Sequence, residues 1–220
     1  MIPLRSCSLH LESYATQRSR WPDRGRHVVA QYDRDSVVVY QAFRPSIASF
    51  AVTHGRFGGD FGYGRMSWIK PGFLWMMYRC GWATKESQER VLAVRIQRSA
   101  FETILAAAVP SSFDRAVHAS DEQWREAIAQ SSVRLQWDPD HDPYGQPVER
   151  RAIQIGLRGE MLASYGREWV LSIEDITDYV HEQRASRDRG LDSLMMPREE
   201  VYTIASSETR TRLRVDDLAA

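Results

Sequence analysis

The sequence predicts an α+β domain, a single compact unit whose mixed or antiparallel sheet is packed by helices, with a polar arm before it and a polar tail after it. Three observations predict this. β-branched runs with period two, such as Ser36–Phe43 and Arg90–Gln97, are interspersed with stretches of helical periodicity. Strands and helices follow one another without regular βαβ spacing, which argues against a doubly wound parallel sheet. Finally, 43% apolar residues in a chain of 220 suffice for one well-buried domain.

Residues 1–26 are rich in Arg and Ser, contain Pro22 and Gly25, and show no sustained periodicity, so they read as an arm. Val28–Ala30 and Ser36–Phe43 flank Asp33-Arg34-Asp35, which is turn chemistry, and together predict a β-hairpin. Pro45 suits the first turn of a helix and Gly55 its end, predicting a helix over 45–54. Five glycines between Gly55 and Gly64 predict a flexible loop. It is also a candidate lid, in which Arg56, Arg65 and two aromatics could close over a ligand.

Met66–Ile69 reads as a strand, and Pro71 opens a second helix through Phe73–Tyr78, stopped by Gly81. That helix is apolar nearly all round, so it belongs in the core. Arg90–Gln97 is a strand, followed by a Ser99-Ala-Phe-Glu102 capping box for a helix over 99–108. Ser120-Asp-Glu-Gln123 caps another helix to about Gln130. Val133–Trp137 and Arg151–Leu157 are strands around a Pro/Asp loop. A short helix near Glu160, a strand over Trp169–Ile173 and a helix from Glu174 to about Arg184 complete the core. Beyond Gly190 the composition turns polar, with only Val201–Ile204 strand-like. The organisation read from the chain is an arm (1–26), a core domain (27–184) and an extension (185–220).

Composition excludes several function classes. Twenty-nine cations balance twenty-nine acids, so no overall polycation advertises a partner. No apolar run approaches the roughly 18–20 residues that span a bilayer, and no apolar leader precedes a cleavage site, so no membrane is expected and the cytoplasm is the expected location. Cys7 and Cys80 are too few for a disulfide framework or a four-thiolate zinc site. Asp138, Asp140, Asp142 and Glu149 fall at positions 1, 3, 5 and 12 of a calcium-loop count. Position 6, which needs glycine, is Pro143, so a solvated turn reads better. His118 and His141 lack ligand spacing, and no metal is expected. There is no Gly-x-Ser-x-Gly elbow, Cys80 reads as a buried inert thiol, and the glycine loop matches neither a dinucleotide fingerprint nor a P-loop.

The cations are nevertheless unevenly placed. Arg65–Arg98 holds seven against two acids, whereas residues 99–183 hold seven against fifteen. A basic segment focuses positive potential unless the acidic one folds against it. Arg outnumbers Lys 27 to 2, and both lysines, Lys70 and Lys85, fall in the basic segment. Lys70 precedes Pro71 at a strand end, beside a helix N-terminus whose free N–H groups and dipole favour an anion. Arg79 lies toward that helix's end, with Trp82 and Lys85 following. Cations beside exposed aromatics suit a phosphate plus a stacked base. The seven-residue spacing of Trp68, Trp75 and Trp82 equally suits plain core residues. If Val37 and Val39 face the core, alternation turns Tyr40 to the other side, where it and Arg44 would border the same cleft as Lys70.

Three stretches carry a family resemblance: Val39-Tyr-Gln-Ala-Phe-Arg-Pro-Ser-Ile-Ala48, Trp68-Ile-Lys-Pro-Gly-Phe-Leu-Trp-Met-Met-Tyr-Arg-Cys-Gly-Trp-Ala83, and Leu135-Gln-Trp-Asp-Pro139 with Ile153-Gln-Ile-Gly-Leu157. Over roughly Val28–Gln183 the chain resembles the DUF4291 family, a domain of unknown function. The resemblance brings no catalytic residues with it.

Three functional readings follow. The first is a cleft that binds a phosphate-bearing ligand, a nucleotide or single-stranded nucleic acid, with a processing step left open. Lys70, Arg79, Lys85, Arg65 and Arg44 would meet phosphate, and Tyr40, Trp68 or Trp82 would stack a base. The second is an enzyme with a nucleotide cofactor such as NAD, by fold-level analogy with ADP-ribosyltransferases, with Glu160 or Glu168 as the catalytic acid. The third is a non-catalytic interaction module using the arm and tail.

Overall fold

A computed structural model describes residues 9–218, so Cys7 lies outside the described residues. In chain order the elements are β1 (Leu11–Ser13), α1 (Tyr14–Arg18), β2 (Gly25–Arg26), β3 (Val29–Ala30), β4 (Ser36–Phe43), α2 (Pro45–His54), β5 (Ser67–Ile69) and α3 (Phe73–Cys80). Then come β6 (Arg90–Gln97), α4 (Arg98–Ala107), β7 (Ala108–Pro110), α5 (Asp121–Gln130), β8 (Val133–His141), β9 (Pro147–Leu157) and α6 (Gly159–Arg167). The chain closes with β10 (Val170–Asp175), α7 (Thr177–Arg189), β11 (Met195–Pro197), β12 (Glu200–Val201) and α8 (Ser207–Leu213). This is the expected α+β architecture.

Two larger sheets carry the fold. One is antiparallel, in the order β10-β6-β4, with Val39 opposite Val94 and Tyr40 opposite Ala93. The other is mixed: β8 and β9 form its central antiparallel pair, β2 and β7 flank them in parallel, and β5 runs antiparallel to β9. The sheets meet at one bridge. The Tyr40 amide donates to the Lys70 carbonyl at 2.7 Å, and the Lys70 amide donates back at 3.1 Å. This bridge fixes Lys70 beside the end of β4.

β4 is buried on both faces, which its run of Val-Val-Val-Tyr reflects. Val37 and Val39 enter one core with Leu92, Val94, Ile96 and Phe101. Val38 and Tyr40 enter a second core, built around Phe73, Met76 and Met77 of α3 with Val180 of α7. α3 is central as its sequence predicts, and Gly81 ends it at φ 60°, a left-handed conformation that glycine adopts without penalty. α2 spans the expected residues, with Pro45 in its first turn and Gly55 at φ 62°.

The arm and tail differ most from expectation. β1 pairs with β11, Leu11 opposite Pro197, and β3 pairs with β12. Trp21 is buried and its indole N–H donates to the Glu199 carbonyl at 2.9 Å. Tyr202, Ile204 and Leu213 enter the first core. The described parts of the 1–26 arm and the 185–220 extension are therefore woven into the domain. Strands of two or three residues are too short to show a period, and each finds its partner far along the chain.

Two local expectations also need correction. Ser99 does not cap α4, which begins at Arg98 with Gln97 at its N-cap and no side-chain capping bond. Glu102 instead accepts from the Tyr202 hydroxyl at 2.6 Å and from the Ala205 amide, so a tertiary contact has taken the capping carboxylate. The glycine loop is anchored: Phe57 and Phe61 are buried in the first core, and the Tyr63 hydroxyl donates to the Phe57 carbonyl at 3.0 Å. Its glycines make room for Phe50, since a Cβ on Gly58 would lie 2.6 Å from that ring.

Candidate functional site

A cleft of about 650 Å³ opens where β4, α2, the glycine loop, β5 and the loop after α3 converge. Its cationic wall is Arg44, just past β4, Arg65, at the end of the glycine loop, and Lys70, just past β5. Asp60 is the one carboxylate among its lining residues, and it lies 3.3 Å from Arg44 in a solvent-exposed ion pair. Such a pair contributes little and gives way readily to a better anion.

Lys70 is the unusual member. It is only 7% exposed, yet it lines the cleft. Its Nζ donates to the Trp68 carbonyl at 3.3 Å and forms no ion pair with any described carboxylate. Burial, reinforced by the positive charge of Arg79, holds its ammonium down at about 8 against an ordinary 10.5. Cys80 and then Asp138 pull the other way, the Asp138 carboxylate being bonded by Gln136 and Gln154, each at 2.7 Å.

The wall beside Lys70 is rigid. Gln41 donates from its amide nitrogen to the Ser67 hydroxyl at 2.9 Å and to the Trp68 carbonyl at 3.3 Å. The buried Tyr165 hydroxyl donates to the Gln41 carbonyl oxygen at 2.8 Å. The orientation of Gln41 is thereby set from α6. Trp68, half-buried, faces Gly156 across the β5–β9 register. A Cβ at Gly156 would lie 2.5 Å from the Met66 sulfur and 3.1 Å from the Trp68 ring, so glycine is what lets Trp68 seat there.

The residues expected at the site divide clearly. Lys70, Arg65, Arg44 and Trp68 line the one cleft. Arg79 and Lys85 are exposed and outside its lining. Arg79 lies over Trp75 at 5.8 Å, while Lys85 donates to the Tyr78 and Arg79 carbonyls at 3.4 and 2.8 Å, capping the C-terminus of α3. Tyr40 and Trp82 are core residues, 0% and 5% exposed, each packed edge-on against Phe73. The parity argument placed Tyr40 on the correct face of β4, but α3 covers that face. The place expected for an anion at the N-terminus of α3 is filled by the chain itself, because a Glu199 carboxyl oxygen accepts from the Phe73 amide at 2.7 Å.

The other expectations locate as follows. Glu160 and Glu168 are exposed at the two ends of α6, outside the cleft lining. Within the Asp138–Asp142 run, Asp140 is committed to Arg150 at 2.7 Å, and Asp142 accepts from the Tyr144 and Gln146 amides of a turn. Cys80 is buried, and burial raises its thiol pKa. Gln41, Ser67, Gln88 and Tyr165 were missed as contributors. Only Gln41 carried a signal, as a lone amide in an otherwise apolar strand.

In the comparison with protein families, the model described as Domain of unknown function (DUF4291) matches residues 27–202. No curated protein matches the chain.

Proposed function

The chain belongs to the DUF4291 family, and from the cleft we propose that it binds a nucleotide, holding the phosphate with Arg44 and Arg65 and laying the base against Trp68. One observation carries this reading: three cations converge on a cleft whose single lining carboxylate is an exposed, replaceable partner of Arg44. Lys70 adds to it, since a buried ammonium with no counter-charge is costly unless an anion completes the site. The volume, about 650 Å³, falls in the range that encloses a small ligand. A discrete nucleotide suits it better than a strand. Strand binding needs a run of exposed stacking residues along a basic groove, whereas Tyr40 and Trp82 are buried and Lys85 is engaged as a helix cap.

Calorimetry and thermal shift with mononucleotides and the matching nucleosides test the proposal. A nucleotide at about 100 times its dissociation constant should add roughly 2.7 kcal/mol, a rise of several degrees for a chain of this size. The nucleoside should shift little. Binding should weaken with salt and in Arg65→Ala. Equal response to nucleotide and nucleoside, or normal binding by Arg65→Ala, would overturn it.

A further inference from the structure

We propose that Lys70 is an amine nucleophile, which forms an imine with the carbonyl group of an anionic ligand in the cleft. The anionic half of this ligand rests on the phosphate reading above; the amine chemistry stands on the surroundings of Lys70 alone.

A lysine reacts as an amine only without its proton, and proteins arrange this by desolvation and by a neighbouring cation. Both conditions hold at Lys70. It is buried to 7% exposure at the cleft wall, Arg79 acts on it as a like charge, and its Nζ has the Trp68 carbonyl at 3.3 Å and no carboxylate in ion-pair contact. A lysine that served only to hold phosphate gains nothing from being discharged. With an ammonium titrating near 8, about half of the molecules at that pH carry a free amine. Arg44 and Arg65 meanwhile keep their charge for the ligand's anionic group.

The step balances without a further reagent. The Nζ lone pair forms a bond to the carbonyl carbon and the C=O π pair moves to oxygen. A proton passes from nitrogen to that oxygen, and loss of water leaves the C=N bond. Ligands of the class are phosphorylated aldehydes and ketones.

The chain supplies its own control, since Lys70 and Lys85 are its only lysines. Lys85 is exposed, with its ammonium held by two backbone carbonyls. The full chain is treated with limiting pyridoxal 5′-phosphate, or with pyridoxal, near pH 8. Borohydride then adds hydride to the imine carbon, and peptide mass spectrometry reads the fixed secondary amine. The expected result is labelling of Lys70 over Lys85 by at least about tenfold, with a pH profile that inflects near 8. Equal labelling, or preference for Lys85, overturns the proposal, and this ratio is read in the unaltered protein. Preference for Lys70 with both aldehydes, unaffected by competing AMP, would retain the amine chemistry and remove the phosphate reading. A nucleotide-induced thermal shift without preferential labelling of Lys70 would do the reverse.

Discussion

Replacing Lys70 by methionine should strengthen the fold while weakening the site. The side chain is nearly enclosed and no described carboxylate is ion-paired to it, so the folded state bears the desolvation cost of an ammonium. The depression from 10.5 to about 8 corresponds, at about 1.4 kcal/mol per unit, to something on the order of 3 kcal/mol. Below pH 8 the lysine is protonated in both folded and unfolded chains, and the whole cost falls on the folded one. Between about 8 and 10.5 the folded chain releases the proton while the unfolded chain keeps it, so stability rises through that window and then levels. Methionine has a similar length and no charge, so Lys70→Met should be more stable than the parent at pH 7, by up to that amount. The gap should close as pH approaches 10. Urea denaturation of both proteins at a series of pH values measures it, and taking the difference removes the pH dependence that the two proteins share. A variant less stable than the parent at pH 7, or a gap independent of pH, would show that the ammonium is already compensated. The argument that an anion completes this site would then fail.

Three further outcomes follow from described contacts. Gly156→Ala sets about 1–3 kcal/mol of overpacking against Met66 and Trp68 against a gain of about 0.4–1 kcal/mol from a stiffer unfolded chain. Its melting temperature should therefore fall only modestly, while displacement of Trp68 lowers nucleotide affinity by calorimetry; unchanged affinity would remove Trp68 from the binding surface. Asp140→Ala strands the buried Arg150 guanidinium, which bonds Asp140 at 2.7 and 2.9 Å, and should cost about 3–5 kcal/mol in chemical denaturation, recovered in part by adding Arg150→Met. Burial raises the Glu199 carboxyl well above 4.5, so the parent should lose stability as pH climbs above 4.5 toward the folded value, and Glu199→Gln, which keeps an acceptor for the Phe73 amide, should show no such loss.

Much of this architecture was legible in the chain where one element's residues decide the matter. Pro45 and Gly55 bound α2, and the alternation of Arg90–Gln97 marks β6, because caps and periods are local. What escaped was decided between distant residues. Glu102 looks like a capping residue until Tyr202 recruits it. The segment around Leu11–Ser13 looks like arm until Met195–Pro197 pairs with it. At the site, the scarcity of lysine directed attention to Lys70, the charge excess over Arg65–Arg98 took in Arg65, and Arg44 was readable from its place just past the strand that carries Tyr40. The fates of Tyr40 and Trp82 were not, because period-two alternation assigns a face without saying whether another layer covers it. The role of Glu199 at the start of α3 was equally invisible, since 126 residues separate it from Phe73.

That last contact has a consequence for how the protein comes into being. A ribosome delivers the chain from its amino end, at about 5–20 residues per second, and both the partner of β1 and the acceptor for the first amide of α3 lie past residue 194. A nascent chain with residues 36–190 already outside the exit tunnel holds every lining residue of the cleft, yet α3 still lacks its terminal acceptor. Contacts of such sequence separation form late, because the intervening chain must be ordered first. A chain stalled just short of Glu199 would therefore emerge with all the ligand-facing side chains of the cleft while the first amide of α3 still lacked its acceptor.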